Sequence, residues 1–231
     1  MKVLGIIGGM GPQATADRYQ KIIDLTPVSK DQDHIHVIID SYAQIPDRTG
    51  NILHGGEDPA PYLARSAKLL ENAGAEALLM PCNTAHYYAD TALKDINIPL
   101  ISIVESALLE LKRVVPAAKT VIPISTTGTK AGKMYENALV REGYTVLELP
   151  QDIQDDIMSA IYDGVKKGRT QDVLPMFQKT LDRIAAEIKP DAMIAACTEI
   201  PILMEYAKSN IPVIDATLAL AKAAVDFAKP A

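Results

Sequence analysis

The feature that most constrains the fold of this chain is a weak internal repeat. A segment that begins at Lys2, KVLGIIGGMGPQAT, resembles one that begins at Lys119, KTVIPISTTGTKAG. Further along each half, AEALLMPCNTAHYYADTALKDINIPLIS matches PDAMIAACTEIPILMEYAKSNIPVIDA. In both copies an apolar run ends in a cysteine, an amphipathic stretch follows, and NIP leads into another apolar run. One half of the chain can therefore be interpreted as a duplicate of the other.

Short apolar runs alternate with longer amphipathic segments along the whole sequence. Most of the runs are continuous, which is typical of strands covered by helices on both faces of a sheet. The predicted strands are Val3–Ile7, His36–Asp40, Ala77–Met80, Leu100–Ile103, Thr120–Ile124, Thr145–Leu149, Ala192–Ala196 and Val213–Ile214. The predicted helices are Ala14–Leu25, Pro59–Ala73, Thr84–Leu93, Ser106–Val114, Lys130–Glu142, Gln151–Lys167, Thr170–Lys189, Ile200–Ser209 and Ala216–Ala228. This alternation indicates βαβ units and an α/β fold.

The repeat predicts two pseudo-symmetric lobes, each a mainly parallel sheet flanked by helices, with the functional site in the cleft between them. We expect one lobe at residues 1–103 together with 215–231, because the last helix should pack back on the first half, and the other lobe at residues 104–214. Ligand sites in open parallel sheets lie at the carboxyl ends of the strands. Cys82 and Cys197 both occupy that position, so facing lobes would bring them to one cleft.

Composition narrows the choice of partners. The chain has 231 residues, of which 48% are hydrophobic and 23% charged, as in an ordinary globular protein. A net charge of −6 without a basic block argues against nucleic acid and an anionic membrane as partners. No apolar stretch is long enough to span a bilayer, and the N-terminus lacks a signal-peptide cleavage pattern. The two cysteines have no disulfide-framework, CxxC or zinc-site spacing, so we expect a cytoplasmic, reduced protein without a metal.

The paired cysteines admit a structural and a chemical interpretation. A free cysteine is often simply a small buried hydrophobe. At the start of a helix, however, backbone amides and the helix dipole stabilise a thiolate. A nucleophilic cysteine enzyme needs only one thiol, whereas inversion of a stereocentre needs two acid/base groups on opposite faces of one carbon. The symmetrical placement of the pair therefore favours a racemase.

Other motifs are weaker signals when taken alone. The turns Gly8–Thr15 and Ser125–Thr129 could aim amides and hydroxyls at a carboxylate, although glycines in such turns often have a purely steric role. Neither turn is a dinucleotide fingerprint or a P-loop. Arg48 could clamp a carboxylate, but its local context is more typical of a surface arginine. His86 could tune the Cys82 thiolate or have an ordinary packing role.

Together, the motifs GGMGPQAT, PDRTG, PCNTAH, STTGTKAGKMY, IYDGVKKG and ACTEIP resemble the aspartate/glutamate racemase family, in its aspartate racemase branch. The resemblance covers essentially the whole chain. It implies a homodimer that racemises aspartate or glutamate without a cofactor, with Cys82 and Cys197 as catalytic residues. It also implies that Arg48 and Lys166 bind the side-chain carboxylate, with the adjacent Lys167 as the alternative to Lys166. The remaining implied substrate-binding residues are Met10, Asn83, Thr84, Thr126, Gly128, Thr129 and Thr198.

Three alternatives stay open from the sequence. One is a racemase of broader amino-acid or hydantoin-like specificity. Arg48 argues against it, because a cation at the site favours a substrate with an acidic side chain. The second is a two-lobed protein that binds an amino acid without turning it over, although it would leave the matched cysteines unexplained. The third, a thiol redox sensor, is disfavoured because neither cysteine has a resolving partner nearby in sequence.

Overall fold

The computed structural model describes residues 1–229, so Pro230 and Ala231, at the end of the predicted first lobe, lie outside the described residues. Its strands form two four-stranded parallel sheets with the same spatial order, β2-β1-β3-β4 and β6-β5-β7-β8. The strands are β1 (Leu4–Gly8), β2 (Val37–Ser41), β3 (Ala77–Leu79), β4 (Leu100–Ile101), β5 (Thr120–Ile124), β6 (Thr145–Val146), β7 (Ala192–Ala195) and β8 (Val213–Asp215). The predicted two-lobed α/β fold is confirmed.

Helices flank both sheets. They are α1 (Pro12–Asp24), α2 (Arg48–His54), α3 (Ala60–Asn72), α4 (Ala89–Ala92), α5 (Ile103–Val114), α6 (Thr127–Ala131), α7 (Met134–Arg141), α8 (Gln151–Ser159), α9 (Thr170–Arg183), α10 (Ile200–Met204) and α11 (Ala216–Ala228). Short 3₁₀ turns cover Asp31–Asp33, Thr84–Tyr88 and Val165–Lys167, and π-helical turns cover Ala160–Gly164 and Ile184–Ile188. Among residues 1–229, no helix has both the length and the apolar content needed to cross a membrane.

The central strands are buried along their length, as their continuous apolar runs predict. All five residues of β1 are buried, and β7 is likewise buried throughout. In the first sheet Leu4 pairs with both Val37 and Ala77; in the second, Val121 pairs with both Val146 and Ala192. Because all pairings are parallel, the carboxyl ends of the strands in each sheet lie at one edge, where the cysteine loops follow β3 and β7.

The C-terminal helix joins the two ends of the chain. Helix α11 packs against α1 and α5, and the Lys2 amide donates to the Ala228 carbonyl over 2.9 Å. Its first turn is capped by Asp215, whose Oδ1 accepts from the amides of Thr217 at 2.7 Å and Leu218 at 2.9 Å. The apolar face of α11 lies in a core that also contains residues of both sheets. The exact division into residues 1–103 with 215–231 and 104–214 stays a prediction.

Two differences from the predicted elements have local causes. Strand β6 ends at Val146 instead of Leu149; Val146 pairs with Val121, two residues before Pro123 of β5. Because proline has no amide hydrogen, β5 cannot continue the ladder on that side. The predicted helix Gln151–Lys167 widens into a π-helical turn at Ala160–Gly164 and then tightens into a 3₁₀ turn. π-Helical turns occur frequently at functional sites.

Candidate active site

The two cysteines lie in equivalent loops. Cys82 follows β3 and Cys197 follows β7, and each side chain is 6% exposed. Both thiols are free. The segments after them are shorter than the predicted helices: a 3₁₀ turn, Thr84–Tyr88, follows Cys82, and the five-residue α10 follows Cys197. A helix dipole is therefore a weak source of thiolate stabilisation here, and the side chains around each sulfur must supply most of it.

One cavity between the two sheets is lined by both cysteines. Nine of the residues implied by the motifs line it: Met10, Arg48, Cys82, Asn83, Thr84, Thr126, Lys166, Cys197 and Thr198. Four others complete the wall and were not predicted: Asp47, Thr49, Tyr162 and Glu199. The missed residues stand beside predicted ones, in PDRTG, IYDG and CTE, so the only sequence signal for them is adjacency.

The cavity is nearly closed. Its volume is about 10 Å³, which is room for about one water molecule. A groove of about 410 Å³ adjoins it and shares Met10, Asp47, Arg48, Tyr162, Lys166 and Glu199 with its wall. We call this the entrance groove. A larger cavity of about 600 Å³ between α7 and β6 contains neither cysteine and none of the predicted cations. The chemistry therefore points to the smaller, closed cavity.

Cys197 is paired with a carboxylate. Its Sγ donates to Glu199 Oε2 over 2.9 Å, and the Thr198 hydroxyl donates to the same oxygen over 3.0 Å. Burial, and then the negative charge of Glu199, raise the pKa of the Cys197 thiol well above its usual value, while Lys166 opposes the shift. Cys197 therefore rests as a protonated thiol.

Cys82 has a cation beside it instead. Arg48 begins α2, is 8% exposed, and donates from Nη1 to the carbonyls of Ile45 at 3.2 Å and Pro46 at 3.0 Å. Burial lowers the pKa of Arg48, but the negative charges of Cys82 and Asp47 outweigh this and raise it overall. The charged guanidinium of Arg48 therefore places a positive charge next to the Cys82 sulfur.

Lys166 reaches the cavity from the 3₁₀ turn that follows the π-helical turn of the second half. Its Nζ lies 4.4 Å from the centre of the Tyr162 ring. Burial lowers the pKa of Lys166, but Glu199, Tyr162 and Cys197 together raise it above its usual value, so it stays charged. The adjacent Lys167 instead donates to the exposed Asp163 over 2.7 Å. Of the two lysines, Lys166 is the one in the cavity wall.

A hydrogen bond joins the two halves at the mouth of the cavity. The Tyr162 hydroxyl donates to Asp47 Oδ1 over 3.2 Å. Asp47 also caps α2, since its Oδ2 accepts from the Gly50 amide over 2.6 Å. Tyr162 therefore ties the π-helical region to the start of the helix that carries Arg48.

Three threonine hydroxyls form a buried triangle across the halves. Thr84 Oγ1 lies 2.8 Å from Thr129 Oγ1 and 3.1 Å from Thr126 Oγ1, and the last two are 3.1 Å apart. Thr84 and Thr126 line the cavity, whereas Thr129 stands behind them. Gly128 also lies outside the lining: a β-carbon there would come within 2.6 Å of Thr49 Oγ1. Gly128 thus lies at a close contact between α2 and α6, and Thr129 lies behind the cavity wall; their roles in substrate binding stay predictions.

Asn83 presents an unused donor to the cavity. Its Oδ1 accepts from the buried Tyr135 hydroxyl over 2.5 Å, and its buried Nδ2 finds no hydrogen-bond partner among residues 1–229. The buried Nε of Arg48 likewise finds none. Buried donors without partners are rare, and a ligand with acceptor oxygens would satisfy them.

His86 supports the Cys82 loop through its backbone. Its Nδ1 lies 2.9 Å from the Cys82 carbonyl, which can only accept, and its Nε2 accepts from the Ile103 amide over 3.3 Å. These partners require a neutral ring, and burial lowers the pKa of His86 to about 4. His86 therefore holds the loop in place, which favours the packing interpretation over direct tuning of the sulfur.

The glycine turn after β1 serves mainly steric needs. Gly9 has a φ of +89°, and a β-carbon on it would lie 2.3 Å from the Tyr42 backbone. Its amide donates to Thr15 Oγ1 over 2.9 Å. No group of three or more metal-ligating side chains occurs within residues 1–229.

Comparisons with known proteins agree with this site. The family model described as Asp/Glu/Hydantoin racemase matches residues 7–224. The chain belongs to this family. The structure of the Picrophilus torridus aspartate racemase superposes with a TM-score of 0.84 at 30% identity, covering 99% of this chain and 94% of the other.

Two curated relatives of this chain are amino-acid racemases. The broad specificity amino-acid racemase RacX of Bacillus subtilis (strain 168) is 29% identical over 233 residues, 96% of each chain. The glutamate racemase of Aquifex aeolicus (strain VF5) is 26% identical over 174 residues, which is 73% of this chain and 65% of the relative. The prediction of an amino-acid racemase is confirmed.

Proposed function

We propose that this chain interconverts L- and D-aspartate, with glutamate as a second substrate, by proton transfer between Cys82 and Cys197 without a cofactor. The observation that carries the proposal is that both thiols line one closed cavity, one beside a guanidinium and the other protonated against a carboxylate. Such a pair provides a base and an acid at the same time. Two-base racemisation requires that combination on opposite faces of the α-carbon.

In the proposed reaction the Cys82 thiolate removes the α-proton of one enantiomer. The Cys197 thiol then donates its proton to the opposite face of the carbanion, and the reverse reaction exchanges the roles. The carbanion needs its negative charge spread onto the α-carboxylate by donors in a water-poor cavity. The unpartnered Asn83 Nδ2 is suited to that task, and a hydroxyl of Thr84 or Thr126 would join it by turning its donor out of the threonine triangle. Met10 closes the apolar side.

The charges in the wall support an acidic substrate. Arg48 and Lys166, one from each half, both line the cavity and the entrance groove and both stay charged. A side-chain carboxylate between them would gain two charge-assisted contacts. The aspartate racemase of Picrophilus torridus, at 30% identity, is consistent with this choice.

Broad amino-acid specificity is the second candidate, and one finding favours it. The relative from Bacillus subtilis, at 29% identity over nearly the whole chain, is described as having broad specificity. A panel of single enantiomers decides between the two. Aspartate specificity predicts that alanine, serine and lysine are racemised far more slowly than aspartate, whereas comparable rates would establish the broad enzyme. The non-catalytic binding protein has no support from the family.

The test of the proposal is incubation of the purified chain with single enantiomers of aspartate in deuterium oxide, without any added cofactor. Racemisation should replace the α-hydrogen with deuterium as optical purity is lost, measured by proton NMR and chiral chromatography. Retention of both optical purity and the α-hydrogen would contradict it.

We further propose a homodimer and a cytoplasmic location. The dimer rests on the family resemblance alone, and sedimentation equilibrium tests it: a mass near twice 24.9 kDa is expected. The location rests on the two free, buried cysteines, which suit a reducing compartment.

A further inference from the structure

Glu199 is the residue that links a thiol to the outside of the closed cavity. It is 5% exposed, and its Oε2 accepts from Cys197 Sγ at 2.9 Å and from the Thr198 hydroxyl at 3.0 Å. Yet it also lines the entrance groove, where the nearly closed cavity meets a space of about 410 Å³. A carboxylate in this position touches the sulfur on one side and reaches solvent on the other.

The first half has no counterpart of this carboxylate. In the repeat, Cys82-Asn83-Thr84 corresponds to Cys197-Thr198-Glu199, so a threonine occupies the position of Glu199. Thr84 is held in the hydroxyl triangle with Thr126 and Thr129. The other acidic residue in the wall, Asp47, accepts from the Gly50 amide and from Tyr162. The two thiols therefore differ in their connection to solvent.

We propose that Glu199 carries protons between Cys197 and water in the entrance groove, so that Cys197 exchanges its proton with solvent while Cys82 remains isolated. The proposal rests on the proposed function. When the S–H bond of Cys197 breaks, an O–H bond forms on the Glu199 carboxylate, and the sulfur keeps the electron pair as a thiolate. The carboxylic acid then exchanges its proton with water, and the reverse transfer restores the thiol. No electrons are gained or lost by the pair.

Variants that keep only one cysteine should show how fast each thiol exchanges its proton with solvent. In Cys82→Ala, racemisation stops, but Cys197 can still remove the α-proton from one enantiomer and return a solvent deuteron to the same face. In Cys197→Ala, Cys82 can do the same only with the other enantiomer and without a relay. We expect deuterium exchange with retained configuration to be about 10- to 100-fold faster in Cys82→Ala than in Cys197→Ala, measured by proton NMR in deuterium oxide.

The relay itself is tested in the Cys82→Ala background. Adding Glu199→Gln should slow the exchange by about 10- to 100-fold, whereas Glu199→Asp should restore part of it. Glu148→Gln is the matched control, because Glu148 is an exposed carboxylate of the same half that lies outside the active cavity. Equal exchange rates with and without Glu199→Gln would overturn the relay, as would a lack of exchange in Cys82→Ala when the wild type racemises.

A second readout needs no catalysis. Glu199→Gln removes the negative charge beside Cys197, so alkylation of Cys197 by iodoacetamide at neutral pH should become faster, as followed by peptide mass spectrometry. An unchanged pH profile of alkylation would show that Glu199 and Cys197 are not coupled, and the relay would fall. Failure of the proposed function looks different: the wild type would neither racemise aspartate nor exchange its α-hydrogen.

Discussion

The two cysteine loops have the same backbone setting but opposite electrostatic surroundings. Each loop follows a buried parallel strand and ends at the same cavity. Cys82 lies beside the Arg48 guanidinium, whereas Cys197 donates to Glu199. The two thiols therefore occupy equivalent places in the repeat, but one has a cation beside it and the other a carboxylate. Symmetry of the fold does not require symmetry of the charges around the two sulfurs.

The strongest test of this comparison removes each thiol in turn. Because the proposed mechanism assigns one thiol to each face of the α-carbon, Cys82→Ala and Cys197→Ala should each lower kcat for aspartate racemisation by at least about 10³-fold. Circular dichroism should show that both variants are folded. Near-normal racemisation by either variant would refute the two-base mechanism and leave the matched loops without a shared role.

The next test separates the two cations. Arg48→Met should lower kcat/KM for aspartate by about 10- to 100-fold, since a charge-assisted contact contributes about 1.5–3 kcal/mol. It should also lower the reactivity of Cys82 toward iodoacetamide, because the positive charge beside its sulfur is gone. Lys166→Met is the matched variant: it should impair aspartate use without slowing alkylation of Cys82. Equal alkylation effects from both variants would contradict the assignment of one cation to each thiol.

The site residues that could be predicted from the sequence are those marked by the residues next to them in each copy of the repeat. Cys82 and Cys197 are recognisable because both end an apolar run, and parallel strands place such ends at one edge. Helix α2 was missed because PDRTG has the composition of a turn, and its start depends on the Asp47 cap. Gly128 was implied as a ligand-binding residue, but its close neighbour, Thr49, comes from the other half of the chain. Contacts between distant segments have no local pattern from which to predict them.

Glu199 and Tyr162 are two further residues whose roles could not be predicted from the local sequence. Each stands in one of the quoted motifs, yet a glutamate is usually a surface residue and a tyrosine is only intermediate in its tendency to be buried. Glu199 becomes distinctive only when the fold buries it against Cys197, and Tyr162 only when the π-helical turn directs it toward Asp47. Burial and long-range pairing decide these roles, and both are properties of the folded chain.

The two cysteine loops also differ in the side chain that holds each backbone in place, and the pH dependence of stability should reveal this difference. His86 holds the Cys82 loop, whereas the corresponding position in the second half is Pro201. Folding lowers the pKa of His86 from 6.5 to about 4, so the unfolded chain binds more protons in that interval. The free energy of unfolding should therefore be fully retained above pH 6.5 and fall by on the order of 2 kcal/mol as the pH drops toward 4. Urea denaturation across this range measures it.

His86→Asn is the control for that pH dependence. The amide keeps a donor for the Cys82 carbonyl but does not titrate, so its free energy of unfolding should decline less between pH 6.5 and 4 than that of the wild type. Identical pH profiles would assign the acid sensitivity to other groups and remove His86 as the distinguishing support of the first loop.

The smallest expected effect concerns the bond that joins the halves at the cavity mouth. Tyr162→Phe removes the hydroxyl that donates to Asp47 but keeps the ring on which Lys166 stacks. Loss of one partly exposed hydrogen bond costs about 1 kcal/mol, so the closed form should be populated less and KM should rise about threefold to fivefold with kcat little changed. A fall in kcat with KM unchanged would instead place Tyr162 in the chemical step, because a residue that only closes the cavity acts equally on the bound substrate and the transition state.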